Sequence, residues 1–319
     1  MKLPLLVLVG PTAVGKTELS VRVARAVGAE IISGDSMQVY RGMDVGTAKI
    51  RPEEMGGVPH HLIDIKNPDE DFSVAEFQAR VDRLVREIYD RGHLPMLVGG
   101  TGLYVRAVVE DYTFTELDPD PELRARLRRE EAEGGPGYLH ARLAEVDPVS
   151  AARLHPHDIF RIVRALEVYY LTGVPISATQ TAAQSEPRYD DLMVGLTMNR
   201  QQLYARIDQR VDAMLAAGWV EEVRRLLTRY PPHLKPMSAL GYRELVLYLR
   251  GLLTWPEAVA LIKRNTRRFA KRQFTWFRRE RRLIWLDVTT PEARDRAFEE
   301  IVRLVKVKWP CRERKGRIQ

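Results

Sequence analysis

Apolar residues follow two rhythms along this 319-residue chain. Short β-type runs at Leu5–Val9, Ala29–Ile32, Leu94–Val98 and Leu192–Leu196, with a late one at about 283–287, have the length of buried strands. Spacings of three and four mark helices: Leu19, Val23, Ala26 and Val27 predict one over about 16–27, and Val74, Phe77, Val81, Leu84, Val85 and Ile88 another over about 73–90. Beyond residue 200 the pattern predicts helices at about 200–217, 219–229, 239–250, 256–279 and 291–306. Strands that alternate with helices and end in Gly-rich turns predict an α/β fold on a parallel sheet, with ligands at the strands' carboxyl ends.

The texture changes after about residue 112, where Asp118-Pro-Asp-Pro-Glu122 opens a stretch rich in Arg, Glu and Ala and without a strand until Leu192. The expected organisation is an α/β core domain from residues 1–115 and 191–319, interrupted by a mainly helical insertion domain over 116–190. Lys308–Gln319 is polar and basic and reads as a mobile tail.

Directly after the first strand stand Gly10, Pro11, Thr12, Ala13, Val14, Gly15, Lys16 and Thr17, a complete G-x-x-x-x-G-K-[ST] phosphate loop. A strand, a Gly-rich turn and a helix together point successive backbone N–H groups at one anion, so a P-loop NTPase-like sheet that grips a diphosphate is expected. Lys16 would reach the phosphate oxygens, and the Thr17 hydroxyl is placed to hold a Mg²⁺ that shares them.

Composition is that of an ordinary globular chain, with 45% hydrophobic and 29% charged residues. The one cysteine, Cys311, excludes a disulfide framework and a Cys-rich zinc site and fits a cytoplasmic location. No run reaches the roughly 18 apolar residues of a membrane span, and the N-terminal run reads as a core strand rather than a signal peptide. The net charge of +7 is concentrated: residues 263–282 hold ten Lys or Arg against one Glu, which leaves the rest slightly acidic. Arg264, Arg268, Lys271, Arg278 and Arg282 recur at spacings of 3, 4 or 7, with Phe269, Phe274, Trp276 and Phe277 among them. Such a segment reads either as a solvated helix face or as an RNA-binding element, its cations for phosphates and its aromatics for unstacked bases.

Asp35 follows the second strand in G-D-S-M-Q-V-Y. It reads either as a general base facing the loop's ligand or as a turn cap. The strand Leu94–Val98 ends in Gly99-Gly100-Thr101 rather than in the Asp that holds Mg²⁺ in many phosphate-loop enzymes, which argues against an ordinary ATPase. A small-molecule kinase remains the rival reading, and a non-catalytic RNA-binding protein the third. His60-His61 and His155-Pro-His157 lack a partner cluster and read as loop residues rather than zinc ligands.

The segments G-P-T-A-V-G-K-T, G-D-S-M-Q-V-Y-R-G-M-D-V-G-T-A-K, L-V-G-G-T-G-L-Y, R-A-L-E-V-Y-Y and K-R-Q-F-T-W-F-R stand in that order from residue 10 to about 287. Together they closely resemble the tRNA dimethylallyltransferases, or tRNA isopentenyltransferases, over nearly the whole chain. The resemblance implies transfer of a dimethylallyl group from dimethylallyl diphosphate to N6 of the adenosine 3′-adjacent to the anticodon, with release of pyrophosphate. A loop that motif reading would give to ATP then holds the diphosphate of a prenyl donor. By the resemblance Asp35 is the general base, and Lys16, Thr17 with Mg²⁺, and Arg210 bind the leaving pyrophosphate. Thr101 is implied to contact tRNA near the flipped adenosine, and Asp35, Ser36, Met37 and Gln38 to line its pocket. Further implied tRNA contacts are Arg124, then Phe160, Arg161, Ile162, Val163 and Arg164. The same holds for Ser238, Ala239, Leu240, Gly241, Tyr242 and Arg243, and for Lys271, Arg272, Gln273, Phe274, Thr275, Trp276, Phe277 and Arg278. The insertion is implied to contact the anticodon stem-loop. The Cys/His zinc finger of eukaryotic members has no counterpart, so the chain resembles the shorter bacterial form.

Overall fold

The computed structural model describes residues 2–110, 117, 120–179 and 187–310, so Cys311 and the rest of the expected tail lie outside the described residues. The first strand, β1 (Pro4–Val9), is buried along its whole length and leads through the phosphate loop into α1 (Lys16–Val27) and then β2 (Ala29–Ser33). A two-residue strand, β3 (His60–His61), precedes α2 (Val74–Asp90), β4 (Leu94–Gly99) and α3 (Gly102–Val109). Five helices follow: α4 (Pro121–Gly134), α5 (Tyr138–Val146), α6 (Pro148–Arg153), α7 (Ile159–Thr172) and α8 (Ile176–Thr179). The sheet resumes with β5 (Asp190–Thr197), before α9 (Arg200–Ala216), α10 (Trp219–Leu227), α11 (Tyr242–Leu249) and α12 (Trp255–Phe277), and the fold closes with β6 (Ile284–Asp287) and α13 (Pro291–Lys308).

The six strands lie in the order β3-β2-β4-β1-β5-β6, and every pairing is parallel. Alternation along β1 separates two cores: Leu5, Val7 and Val9 pack with Phe77, Val81 and Val85 of α2, whereas Leu6 and Leu8 pack with Leu19 and Val23 of α1 and Ile301 of α13. Burial on both faces explains why β1 reads as a continuous apolar run. Each such side chain contributes roughly 1.5–3 kcal/mol. A P-loop between β1 and α1 on a parallel, helix-flanked sheet is the expected P-loop NTPase-like architecture.

Helix boundaries follow local chemistry. Ser73 caps α2 by accepting from the Glu76 N–H at 3.0 Å, and Thr254 with Glu257 forms a capping box at the start of α12. The helix expected at 239–250 is shorter, because a 3₁₀ turn at Pro236–Ser238 precedes Gly241, whose φ of 84° makes it the N-cap of α11. Helix α3 was not expected: its residues are apolar almost all round, so no face stands out to periodicity. The expected tail begins too early, since Lys308 still belongs to α13 and both Lys308 Nζ and Trp309 Nε1 donate to Asp190, at 2.7 and 2.6 Å.

The chain divides into two compact units, residues 1–109 with 187–319, and residues 110–186. The second is wholly helical among its described residues, with Leu123, Leu127, Leu139, Leu143, Ile162 and Leu166 at its core. Within it the fully buried Glu167 accepts two bonds from Arg124 at 2.7 and 2.8 Å, one from Arg164 at 2.6 Å, and one from the Asp120 N–H at 2.9 Å. These bonds hold the Glu167 carboxyl below its ordinary range despite the opposing effect of burial.

Candidate active site

The loop Gly10–Thr17 opens where β1 ends. Gly15, at φ 105°, is the N-cap of α1 and carries no side chain to satisfy the first N–H groups of the helix. That open helix start is the electropositive end at which anions bind. Lys16 curls over the loop, its Nζ donating to the Gly10 and Pro11 carbonyls at 2.9 and 2.8 Å. Burial and the neighbouring Arg210 push Lys16 down to about 7, against the opposing pull of Asp35. Arg210 is likewise lowered, by burial first and by Arg206, with Asp35 again opposing. Lys16, Arg206 and Arg210 therefore gather at the phosphate loop, which gives that end of the cavity the electrostatics of an anion site.

A cavity of about 1020 Å³ brings these groups together, lined by Thr12, Lys16, Thr17, Asp35, Gln38, Arg206, Arg210 and Gln273. Asp35 fits both of its sequence readings. Its Oδ1 accepts from the Met37 N–H at 2.8 Å and the Gln38 N–H at 3.3 Å, so it caps a turn while facing the cavity. Gln38 is held in turn by the Ser33 hydroxyl at 3.0 Å and donates to the Thr47 carbonyl at 3.3 Å. Thr101 immediately precedes α3, its carbonyl accepting from the Tyr104 and Val105 N–H groups, one residue past the cavity-lining Gly100.

The wall formed by residues 43–48 depends on one buried carboxylate that the sequence did not single out. Glu222 of α10 accepts from the backbone N–H groups of Asp44, Val45 and Gly46 at 2.8, 2.7 and 3.1 Å, and from the Tyr242 hydroxyl at 2.6 Å. Gly46 must be glycine, since a Cβ there would lie 2.0 Å from Trp219 Nε1. Beside this wall a smaller cavity of about 60 Å³ is lined by Ile207, Val211, Met214, Trp219 and Leu240, and shares Thr12 and Arg210 with the larger one.

Gln273 also differs from its expected place on an RNA-facing surface. It is 7% exposed; its Oε1 accepts from the Thr12 N–H at 2.9 Å and its Nε2 donates to the Gly100 carbonyl at 3.0 Å. It ties the phosphate loop to the turn after β4. The aromatics of α12 are also mainly internal: Phe277 is buried, Phe274 and Trp276 pack on the core, and Trp276 lies against Gly102. Arg264, Arg268, Lys271, Arg272, Thr275 and Arg278 are exposed. Arg282 stands beyond α12 and pairs with Asp191 and Glu280 at 2.8 and 2.9 Å, so it leaves the expected stripe.

Of the other expected contacts, Ser238 and Arg243 are exposed, Ala239 and Leu240 are half-buried, Gly241 caps α11, and Tyr242 is buried against Glu222. In the helical unit Phe160 is 73% exposed and Arg161 is exposed beside Asp158, whereas Ile162 and Val163 face the core. No group of three or more His, Cys, Asp or Glu among the described residues forms a metal site. His61 bonds Glu30 and His60 bonds the Val58 carbonyl, which are structural roles. No helix among the described residues is long and apolar enough to cross a membrane.

Residues 38–280 match the family model described as IPP transferase. A tRNA dimethylallyltransferase of Symbiobacterium thermophilum is 83% identical over 319 residues, covering 100% of both chains, and one of Carboxydothermus hydrogenoformans is 52% identical over 93% of this chain and 96% of its own. The crystal structure of the tRNA isopentenylpyrophosphate transferase of Bacillus halodurans matches with a TM-score of 0.73 at 46% identity, covering 98% of each chain. A eukaryotic dimethylallyltransferase captured acting on tRNA matches with a TM-score of 0.81 at 27% identity, over 95% of this chain and 78% of its own. A phosphate loop and a carboxylate sharing one basic cavity, in a chain this similar to these enzymes, make it a member of the IPP transferase family, to which the tRNA dimethylallyltransferases belong.

Proposed function

We propose that this protein transfers a dimethylallyl group from dimethylallyl diphosphate to N6 of the adenosine 3′-adjacent to the anticodon of tRNA, giving N6-dimethylallyladenosine and pyrophosphate. The observation that carries the reading is the meeting of Asp35 with Lys16 and Arg210 in one cavity at the phosphate loop. The loop's N–H groups and the two cations bind the diphosphate, and the apolar cavity between Val211, Met214 and Trp219 receives the five-carbon tail. The adenine N6 attacks the first prenyl carbon as the bond from that carbon to the diphosphate oxygen breaks. The bonding pair leaves with pyrophosphate, and the N6 proton passes to Asp35. Lys16 and Arg210 stabilise the charge that grows on the departing oxygen.

Magnesium fits the donor set, since the Thr17 hydroxyl and the Asp35 carboxylate are hard oxygen ligands on the same cavity. With no carboxylate cluster among the described residues to complete a site, diphosphate and water would supply most of its coordination, and the ion would neutralise phosphate charge. The adenine must leave the anticodon-loop stack to reach Asp35. The exposed cations of α12, with Ser238 and Arg243, offer a surface for tRNA phosphates. A tRNA substrate favours a cytoplasmic location.

The deciding experiment incubates unmodified tRNA with the protein, Mg²⁺ and dimethylallyl diphosphate and analyses nucleosides by mass. The expected result is one C5 unit on adenosine, dependent on the donor. Unchanged adenosine, or ATP-dependent phosphorylation of a metabolite without RNA, overturns the reading.

A further inference from the structure

Helix α9 carries a second arginine at the cavity for which the resemblance implied no role. Leu203, Ile207 and Val211 are buried at spacings of four and pin the helix against the core. The adjacent row, Arg206, Arg210 and Met214, then faces the cavity. The acids of the same helix lie elsewhere, Asp208 paired with Arg267 and Asp212 with Lys263 of α12. Arg206 and Arg210 thus stand one turn apart with like charge, an arrangement that costs stability unless an anion relieves it.

Arg206 also has an unanswered donor. Its Nη1 is buried without a hydrogen-bond partner among the described residues. Its Nη2 would lie 3.9 Å from a Cβ placed on Gly15, so the guanidinium reaches the open start of α1. The two arginines have different electrostatic neighbours: Arg210 is influenced by Asp35 and Arg206, whereas Arg206 is influenced by Arg294 and Glu18. A half-buried guanidinium with one buried, unpartnered N–H matches a phosphate oxygen in geometry and charge.

We propose that Arg206 is a substrate-contacting residue that grips the distal phosphate of the donor, while Arg210 serves the phosphate joined to the prenyl carbon. The assignment rests on the diphosphate reading of the phosphate loop. It divides the labour: Arg206 recognises a second phosphate and anchors it as the bond to the first one breaks. It also supplies a reason for a diphosphate donor to be preferred over a monophosphate.

The test is calorimetric titration of inorganic pyrophosphate and of inorganic phosphate, each with Mg²⁺, into wild type, Arg206→Ala and Arg206→Lys. The assignment expects Arg206→Ala to weaken pyrophosphate at least about tenfold, the loss of a charge-assisted pair, and phosphate much less. Arg206→Lys keeps the charge without the fork and should fall between, with a wild-type melting temperature. Equal weakening of both anions, or wild-type pyrophosphate affinity in Arg206→Ala, overturns the assignment. If Arg206→Ala does not fold, Arg206→Lys decides, and an affinity within twofold of wild type overturns it. A wild type that binds no pyrophosphate sinks the diphosphate reading itself.

Discussion

Two side chains at the cavity carry separable consequences. Asp35→Asn keeps the Oδ1 acceptor for the Met37 and Gln38 N–H groups, so the turn survives while the base is lost. Turnover should fall by about two orders of magnitude or more, with tRNA affinity unchanged, as single-turnover kinetics beside filter binding would show. A variant that turns over normally would leave Asp35 with its capping role alone. Lys16 concerns pH. In the ligand-free site it loses its proton at about 7 instead of 10.5, so diphosphate binding must restore that proton between those values. Pyrophosphate affinity should therefore fall as pH rises above 7, approaching a tenfold change per unit at its steepest. Lys16→Arg, which stays charged, controls for ionisation of the anion itself, and a pH slope equal in both proteins would refute the linkage. The same depression means the unfolded chain holds this proton where the ligand-free fold does not, so the Lys16 contribution to stability rises with pH from about 7 towards 10.5.

Helix α10 shows how an element can shape the site without touching a ligand. Glu222→Ala would leave three backbone N–H groups and the Tyr242 hydroxyl without their acceptor. Each buried group left unsatisfied costs about 1–3 kcal/mol, so a loss of about 3 kcal/mol or more is expected by denaturant unfolding. A loss below about 1 kcal/mol would mean that water reaches these groups. Glu222→Gln can still accept on one oxygen and should fall between the two. Helix α12 combines an inward face that braces the phosphate loop through Gln273 with an outward face of Arg264, Arg268, Lys271 and Arg278. Its inward side chains were hard to read from sequence because cations surround them. A Gln within K-R-Q-F-T-W-F-R looks like part of the basic surface until its partners are seen.

For the molecule as a whole, charge is unevenly placed: +7 overall, with ten of its cations in residues 263–282. Part of that run is engaged internally, by Asp208, Asp212 and Asp191. The exposed remainder should govern tRNA binding and its salt dependence. Arg268→Ala with Lys271→Ala should weaken tRNA and flatten the plot of log affinity against log salt by about one to two units of slope, with pyrophosphate affinity unchanged. An unaltered slope would move the RNA surface elsewhere. What the sequence determined unaided was local: the buried strand before the phosphate loop, the helix after it, the helix over about 73–90, and the candidate base two residues beyond β2. These follow from side-chain periodicity and backbone sterics, which act over a few residues. Only the tertiary structure decided the strand order, the inward role of Gln273, the reach of Arg206 to Gly15, and the anchoring of residues 44–46 by Glu222. Gln273 and Thr12 are 261 residues apart, and Glu222 and Asp44 are 178 apart. Contacts of that kind exist only once the two cores have packed, because burial, not proximity in the chain, makes a particular partner necessary.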